Sequence, residues 1–278
     1  MIVKNEIYKK YVTEDLINHK GLLHPMKTPF FEHIKTKQID PTKLHPNPED
    51  EFSMETVGPN WEIIGNYEKS IRLNMENDRD IFEEPLMAVK LDKGGYMLLN
   101  GHHRWMAALN LRVKKVPVKI TDITTEDEVS EVINKSSREK CVTIDLDEVL
   151  LTDSKPKFPY SMVYKINIRN NASLLVSELH RMGYDVWIYT GSYMSQAYIK
   201  GLFTINNCSV DGIVNGINAK RKSVNLKEIF RSKYKNIIHV DNDAITSVNT
   251  ETKDYEIIDM NATADGWAAG VVEKIHKI

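Results

Sequence analysis

The sequence predicts an α/β chain of two domains, a small mixed α+β domain followed by a doubly wound parallel sheet of Rossmannoid type. Three observations point there. At 278 residues the chain is about twice the usual domain length. Its second half alternates short apolar, β-branched runs with amphipathic helical stretches, the pattern of a parallel sheet. Its first half holds a hairpin followed by a strand-to-helix turn at Asn100-Gly101. The expected boundaries are an N-terminal arm over 1–37, a first domain over 38–121, a linker helix over 122–139 and a second domain over 140–278.

Residues 1–37 mix charged and apolar residues and carry Pro29-Phe30-Phe31 near their end, which reads as a helix followed by an extended arm. After the opening QIDPTKLHPNPEDEF, the stretch GPNWEII reads as a turn with Trp61 as a core anchor, and EIIGNYEKSIR is helical. Leu86 to Lys90 and Tyr96 to Leu99 form two strands joined by the turn Asp92-Lys93-Gly94-Gly95. A helix starts at His102 and buries Trp105, Ala108 and Leu109; Val116-Pro117-Val118 is the next strand, with Lys114-Lys115 as its solvated entry. Thr125 followed by Glu128 is a capping box, and Val129, Val132 and Ile133 recur at helical spacing in the linker helix, which frays at Ser136-Ser137.

In the second half, Cys141 to Ile144 reads as a buried strand that ends in Asp145 and Asp147. In an extended chain those two carboxylates point to the same side. At the carboxyl edge of a parallel sheet, where ligands bind, such a pair is costly unless a cation neutralises it, and Mg²⁺ fits its oxygen donors. Residues 151–168 have length for only a small flap. The helix ASLLVSELHRMG presents Leu175, Leu179 and Met182 on one face and places Gly183 at its C-terminal stop. The strand DVWIYT ends in Thr190-Gly191-Ser192. Lys220 and Lys222 precede an amphipathic helix. The strand NIIHVD, with His239 read as buried and hydrogen-bonded, ends in Asp241-Asn242-Asp243, and YEIID ends in Asp259. ADGWAAGVV starts a closing helix, with Asp265 near the sheet edge.

Composition limits the function classes. Hydrophobic residues are 41% and charged residues 27%, too apolar for disorder. The net charge of −2 divides as 21 basic against 23 acidic residues up to Lys140 and 16 against 16 beyond it, so neither half is a basic nucleic-acid module. No apolar run approaches the roughly 20 residues that span a bilayer, and the N-terminus interleaves charges where a signal core would lie. A cytoplasmic protein without membrane contact is expected. Cys141 and Cys208 make neither a disulfide framework nor a zinc spacing, and His19, His24, His33 and His45 show no spacing of metal ligands.

At Gly101 the missing side chain lets backbone approach a ligand, and a helix N-terminus attracts anions. Arg104 with His102 and His103 in that first turn reads as a phosphate clamp. Together with the opening motif, the Ser-Ile helix and the turn before "VPV", these residues resemble the N-terminal domain of the ParB/sulfiredoxin superfamily over about 85 residues. The resemblance implies nucleotide or phosphate binding through Gly101, His102, His103 and Arg104, and the form GHHR is most similar to its free-serine kinase branch. That branch uses an acidic residue near the opening motif, for which Glu49, Asp50 and Glu51 are candidates, with Glu51 taken forward. Sulfiredoxin chemistry needs a cysteine where His102 stands, and no helix-turn-helix half of a partition protein is present.

The second half resembles the haloacid dehalogenase (HAD) superfamily over about 135 residues, with all four motifs in order. The resemblance implies Asp145 as the nucleophile forming an aspartyl-phosphate, Asp147 as general acid/base, Thr190 as a phosphoryl contact and Lys222 (or Lys220) as the charge stabiliser. It implies a Mg²⁺ site from the carboxylates of Asp145 and Asp241 and the backbone carbonyl of Asp147. The fourth motif reads Asp-Asn-Asp in place of a longer-spaced acid pair, and the short insertions imply a capless, open site suited to large substrates or closed by the first domain. The leading expectation is therefore a Mg²⁺-dependent phosphohydrolase or phosphotransferase. Its partner would be a phosphorylated small molecule or a nucleotide of the ATP, ADP or CTP class, with nucleic acid less favoured. The alternatives are a nucleotide-dependent kinase acting on a small hydroxyl substrate such as serine, a nucleotide-sensing or DNA-associated regulator with a structural second half, and a nuclease.

Overall fold

In the computed structural model, residues 6–216, 220–259 and 266–278 are described, together with the side chains of all of these except 220–224. The chain divides into two units, residues 1–123 and 124–278.

The first unit begins with helical residues 6–18, of which Lys9–Thr13 is a wider π turn and Glu14–Asn18 is α1. Val12 is fully buried in the core of this unit, with Tyr8, Tyr11 and Leu16 packed around it, so the arm contributes to the core. α2 (Phe30–Ile34), β1 (Thr36–Ile39) and β2 (Leu44–His45) follow. Asp50 caps a 3₁₀ turn over Glu51–Ser53 by accepting from the Phe52 amide. Asn60 caps α3 (Trp61–Glu76) by accepting from the amides of Glu62 and Ile63. Trp61, expected as a core anchor, is 38% exposed at the first helical position, where the Tyr8 ring meets it edge to face at 5.9 Å.

β3 (Leu86–Lys90) and β4 (Tyr96–Asn100) form the expected hairpin, α4 spans His102–Asn110 and β5 Val116–Thr121. The sheet order is β1-β5-β3-β4-β2, with β5/β3 and β4/β2 parallel and the other pairs antiparallel. Ile64 and Ile71 of α3 and Trp105 of α4 are fully buried against it. Burying Trp105 brings its indole N–H to the Pro41 carbonyl at 2.8 Å, which satisfies its polar edge.

The second unit opens with α5 (Glu126–Lys135), which carries the full capping box between Thr125 and Glu128. Its Val129 and Ile133 are buried in one core with Trp187, Val214, Leu226 and Phe230. The remaining elements are β6 (Lys140–Asp145), a π turn over Leu146–Leu150, β7 (Leu151–Thr152), β8 (Asn167–Ile168), α6 (Ala172–Arg181), β9 (Tyr184–Thr190), α7 (Gln196–Ile205) and β10 (Gly212–Asn215). They continue through α8 (Lys220–Lys233), β11 (Asn236–Val240), β12 (Ala244–Asn249), β13 (Tyr255–Asp259) and α9 (Trp267–Ile275). The flap expected over 151–168 is the small antiparallel ribbon β7/β8.

The main sheet has the order β10-β9-β6-β11-β12-β13. Its first four strands are parallel, as expected, and Tyr184 to Ile188 are buried in succession because both faces of β9 are covered. The wholly parallel sheet is not what forms. β12 runs antiparallel to both β11 and β13, so the sheet is mixed. The sequence reading missed β12 because AITSVN follows Asp241-Asn242-Asp243 with no break for a crossover; three residues make a hairpin turn. No helix among the described residues is long and apolar enough to cross a membrane.

Candidate functional site

In the first unit, β4 leads into α4 through Gly101, which adopts a left-handed φ of +95° and offers the helix no side-chain cap. A Cβ there would lie 2.5 Å from Leu86 Cδ2 and 3.1 Å from Arg104 Nη2, so both conformation and space require glycine. His102 is buried. Its Nε2 accepts the Asn47 amide at 3.2 Å and its Nδ1 lies 3.3 Å from Asp50 Oδ2. Burial pushes its pKa down to about 4, against the opposing pull of the Asp50 carboxylate. His103 Nε2 accepts the Asn60 amide at 3.1 Å, and burial lowers its pKa as well.

This corrects the expected clamp. Both imidazoles are neutral, and each accepts a backbone N–H from a loop, so neither brings a positive charge to a phosphate. Arg104 donates from Nη1 to the Glu84 carbonyl at 2.5 Å and lies 5.8 Å from the Phe82 ring centre. Of the three acidic candidates, Asp50 stands beside His102, whereas Glu51 is exposed on the 3₁₀ turn. Asn47, Asn60 and Phe52, whose ring packs on both histidines, escaped sequence reading; only the Asx-type turn residues Asn47, Asp50 and Asn60 left a signal.

In the second unit, the strand ends align. Val240 pairs with Ile144, which sets Asp241 beside Asp145 across neighbouring strands, and Asp145 pairs with Tyr189, next to Thr190. Asp145 is half-buried, and its Oδ1 accepts the Glu148 amide at 2.8 Å as the cap of the π turn. Burial raises its pKa, and the carboxylates of Asp147 and Asp241 add to the rise. Asp147 does not lie on the extended strand, as the i, i+2 argument assumed. It sits exposed on the π turn, which still delivers its Oδ2 to within 2.5 Å of the buried Thr190 hydroxyl. Thr190 Oγ1 also accepts the Ser192 amide at 2.9 Å and lies 2.8 Å from the Ser192 hydroxyl.

Asp241 accepts the Asn242 amide, and its Oδ2 is 3.9 Å from His239 Nε2. His239 is hydrogen-bonded through Nδ1 to Thr143 at 2.8 Å, as expected, but its side chain is 39% exposed and faces the site instead of the core. Burial of part of the ring lowers its pKa. Ser192 and His239 are the residues of this edge that sequence reasoning left out of the site. The side chains of Lys220 and Lys222 lie outside the described residues, as does Asp265; Asp243 is exposed in the turn after β11.

Oxygen is the only donor type that Asp145, Asp241 and the Asp147 carbonyl present, which suits a hard cation. The three carboxylates do not converge within 4.8 Å of one another. Among the described residues, that condition is met elsewhere, by Asp15, His19 and His45 in the first unit. The expectation that these histidines are unrelated fails because residues 26 apart in sequence meet where α1 packs beside β2.

Comparison with known proteins finds similarity over part of the chain. A relative in Methanocaldococcus jannaschii, an uncharacterized protein, is 26% identical over 121 residues, which cover 41% of this chain and 40% of that protein; the chain thus matches less than half of the relative's length. Residues 27–137 match the ParB N-terminal domain family, a stretch that holds the Gly101–Arg104 turn and continues through α5.

Proposed function

We propose that the second unit is a Mg²⁺-dependent phosphohydrolase of the HAD type acting through Asp145, and that the ParB-like unit binds a nucleotide or phosphorylated ligand at the start of α4. The observation that carries the reading is the acidic edge. Asp145 and Asp241 end adjacent parallel strands, while Asp147 and Thr190 are joined across the same edge. β6, which bears the first motif, lies at the centre of the four parallel strands, where crevice ligands bind at strand carboxyl ends.

The chemistry follows from those groups. A carboxylate oxygen of Asp145 attacks phosphorus, the ester P–O bond breaks, and protonated Asp147 passes its proton to the leaving oxygen. Water then attacks the aspartyl-phosphate while Asp147 takes the water proton, and the Asp145–phosphorus bond breaks to release phosphate. Thr190, buried and held by Ser192, donates its hydroxyl to Asp147 and so positions it, and would contact a phosphoryl group by exchanging that partner for a phosphoryl oxygen. Mg²⁺ held by Asp145, Asp241 and the Asp147 carbonyl would screen the repulsion between carboxylate and phosphate. In the ParB-like unit, the left-handed Gly101 and the uncapped first turn of α4 support phosphate binding by backbone N–H groups, with Arg104 as the charged neighbour.

The test is phosphate release from a panel of phosphomonoesters and nucleotides, with and without Mg²⁺, for wild type, Asp145→Asn and Arg104→Ala. Mg²⁺-dependent turnover lost in Asp145→Asn is expected, and an effect of Arg104→Ala would tie both units to one substrate. The uncapped turn of α4 also favours a second reading, nucleotide-dependent phosphorylation of a small hydroxyl substrate in the first unit. Absence of phosphatase turnover combined with serine-dependent ATP or ADP consumption that Arg104→Ala removes would replace the first reading by that one.

A further inference from the structure

Three side chains of the first unit, none of them in the Gly101–Arg104 turn, bring their donor atoms together. Asp15 lies on α1, His19 caps the end of that helix one turn later, and His45 closes β2. The spacing of four residues puts Asp15 and His19 on one helix face. His19 Nδ1 is 3.2 Å from Asp15 Oδ1, and His45 Nδ1 is 3.1 Å from both carboxylate oxygens. The two rings meet edge to face at 4.6 Å.

We propose that Asp15, His19 and His45 form a binding site for a divalent transition-metal ion of the zinc class, with one coordination position left to solvent. The distances carry the argument. Ligands about 2.0–2.1 Å from a tetrahedral zinc ion are separated by roughly 3.3 Å, close to the two imidazole–carboxylate spacings found. A carboxylate with two imidazoles is a borderline donor set that suits zinc and disfavours Mg²⁺. All three residues are partly buried, so the donors are held in place yet remain reachable.

The orientation of His45 is fixed from behind. Gly95, at a φ of +77°, closes the β3–β4 turn so tightly that a Cβ there would fall 2.7 Å from His45 Nε2. Nδ1 therefore faces Asp15. A neutral imidazole carries a single ring proton, so a histidine that ligates through Nδ1 holds that proton on Nε2.

The test uses the full chain stripped with a chelator and then titrated with Zn²⁺ by calorimetry and with Co²⁺ by visible absorption. One equivalent of Zn²⁺, the intense visible bands of four-coordinate Co²⁺ and a rise of several degrees in the unfolding midpoint are expected. His45→Gln and His19→Gln should each weaken Zn²⁺ binding at least tenfold, whereas His276→Gln, at the exposed C-terminus, should leave it unchanged. His19 keeps 38% of its side chain exposed and lies outside the buried core, so its variant is a test that does not depend on refolding of the core. No binding by wild type, the faint spectrum of six-coordinate Co²⁺, or equal affinity in His19→Gln and wild type would each overturn the proposal.

Discussion

The placement of His102 makes stability depend on acid in a calculable way. In the unfolded chain an imidazole takes up a proton near pH 6.5, whereas burial holds the folded His102 neutral down to about 4. Between those values the unfolded state binds more protons, so stability falls as pH falls. At about 1.4 kcal/mol per pH unit, the full effect is about 3 kcal/mol, with about 2 kcal/mol already lost at pH 5. Most carboxylates have not titrated at that point, so the window between pH 8 and 5 isolates histidine. His103 adds a smaller effect of the same sign, since it is buried less deeply.

The variant that isolates this contribution is His102→Gln, whose amide retains an acceptor for the Asn47 N–H and a donor for Asp50. It starts about 1–2 kcal/mol less stable at pH 8, because the longer amide cannot copy the ring geometry. Urea unfolding at pH 8, 7, 6 and 5, followed by circular dichroism and tryptophan fluorescence, measures both chains. Wild type should lose about 2 kcal/mol more than the variant across that range. Parallel stability–pH curves for the two chains would refute the reasoning, since they would mean that His102 carries the same protonation in the folded and unfolded states.

Three further outcomes follow from the geometry. Gly101→Ala forces an L-residue into a left-handed conformation against Leu86; a loss of about 2–4 kcal/mol and a thermal midpoint lower by several degrees are expected. Thr125→Ala removes the α5 cap and should cost about 1 kcal/mol in urea unfolding, restored largely by Thr125→Ser. Asp145→Asn should raise stability at pH 7 by up to about 1 kcal/mol after screening by solvent, because the folded state resists ionising this half-buried carboxyl. The gain should vanish near pH 3, where the acid is protonated in both states.

The elements legible in the sequence were those whose signal is local. The β3–β4 hairpin, the Thr125 capping box and the apolar strands β6 and β9 follow from turn residues, caps and runs that lie within a few positions. Of the candidate sites, the strand-end residues Asp145, Thr190 and Asp241 were readable because register in a parallel sheet brings strand termini level. Asp15, His19 and His45 were not, because their meeting depends on helix-to-strand packing, which leaves no periodicity. The neutrality of His102 was equally hidden. A histidine in a helix's first turn has the same letter whether it faces solvent as a cation or turns inward to accept an amide, and only the position of Asn47 decides between them.

The two candidate sites divide their charged groups in opposite ways. At the start of α4, the side chains of the most recognisable motif are spent on the walls: His102 and His103 tie the Asn47 and Asn60 loops, and Arg104 ties Glu84. What remains for a ligand is the backbone N–H fan of an uncapped helix, with the rest of the Arg104 guanidinium as its charged neighbour. At the strand edge of the second unit the side chains themselves face the site, and burial, with their mutual repulsion adding to it, raises the Asp145 pKa. Substitution of a histidine at α4 should therefore weaken ligand binding only as far as it loosens the loops, in proportion to stability. Substitution of Asp145 should separate the two quantities, with the proposed phosphatase turnover lost while stability rises.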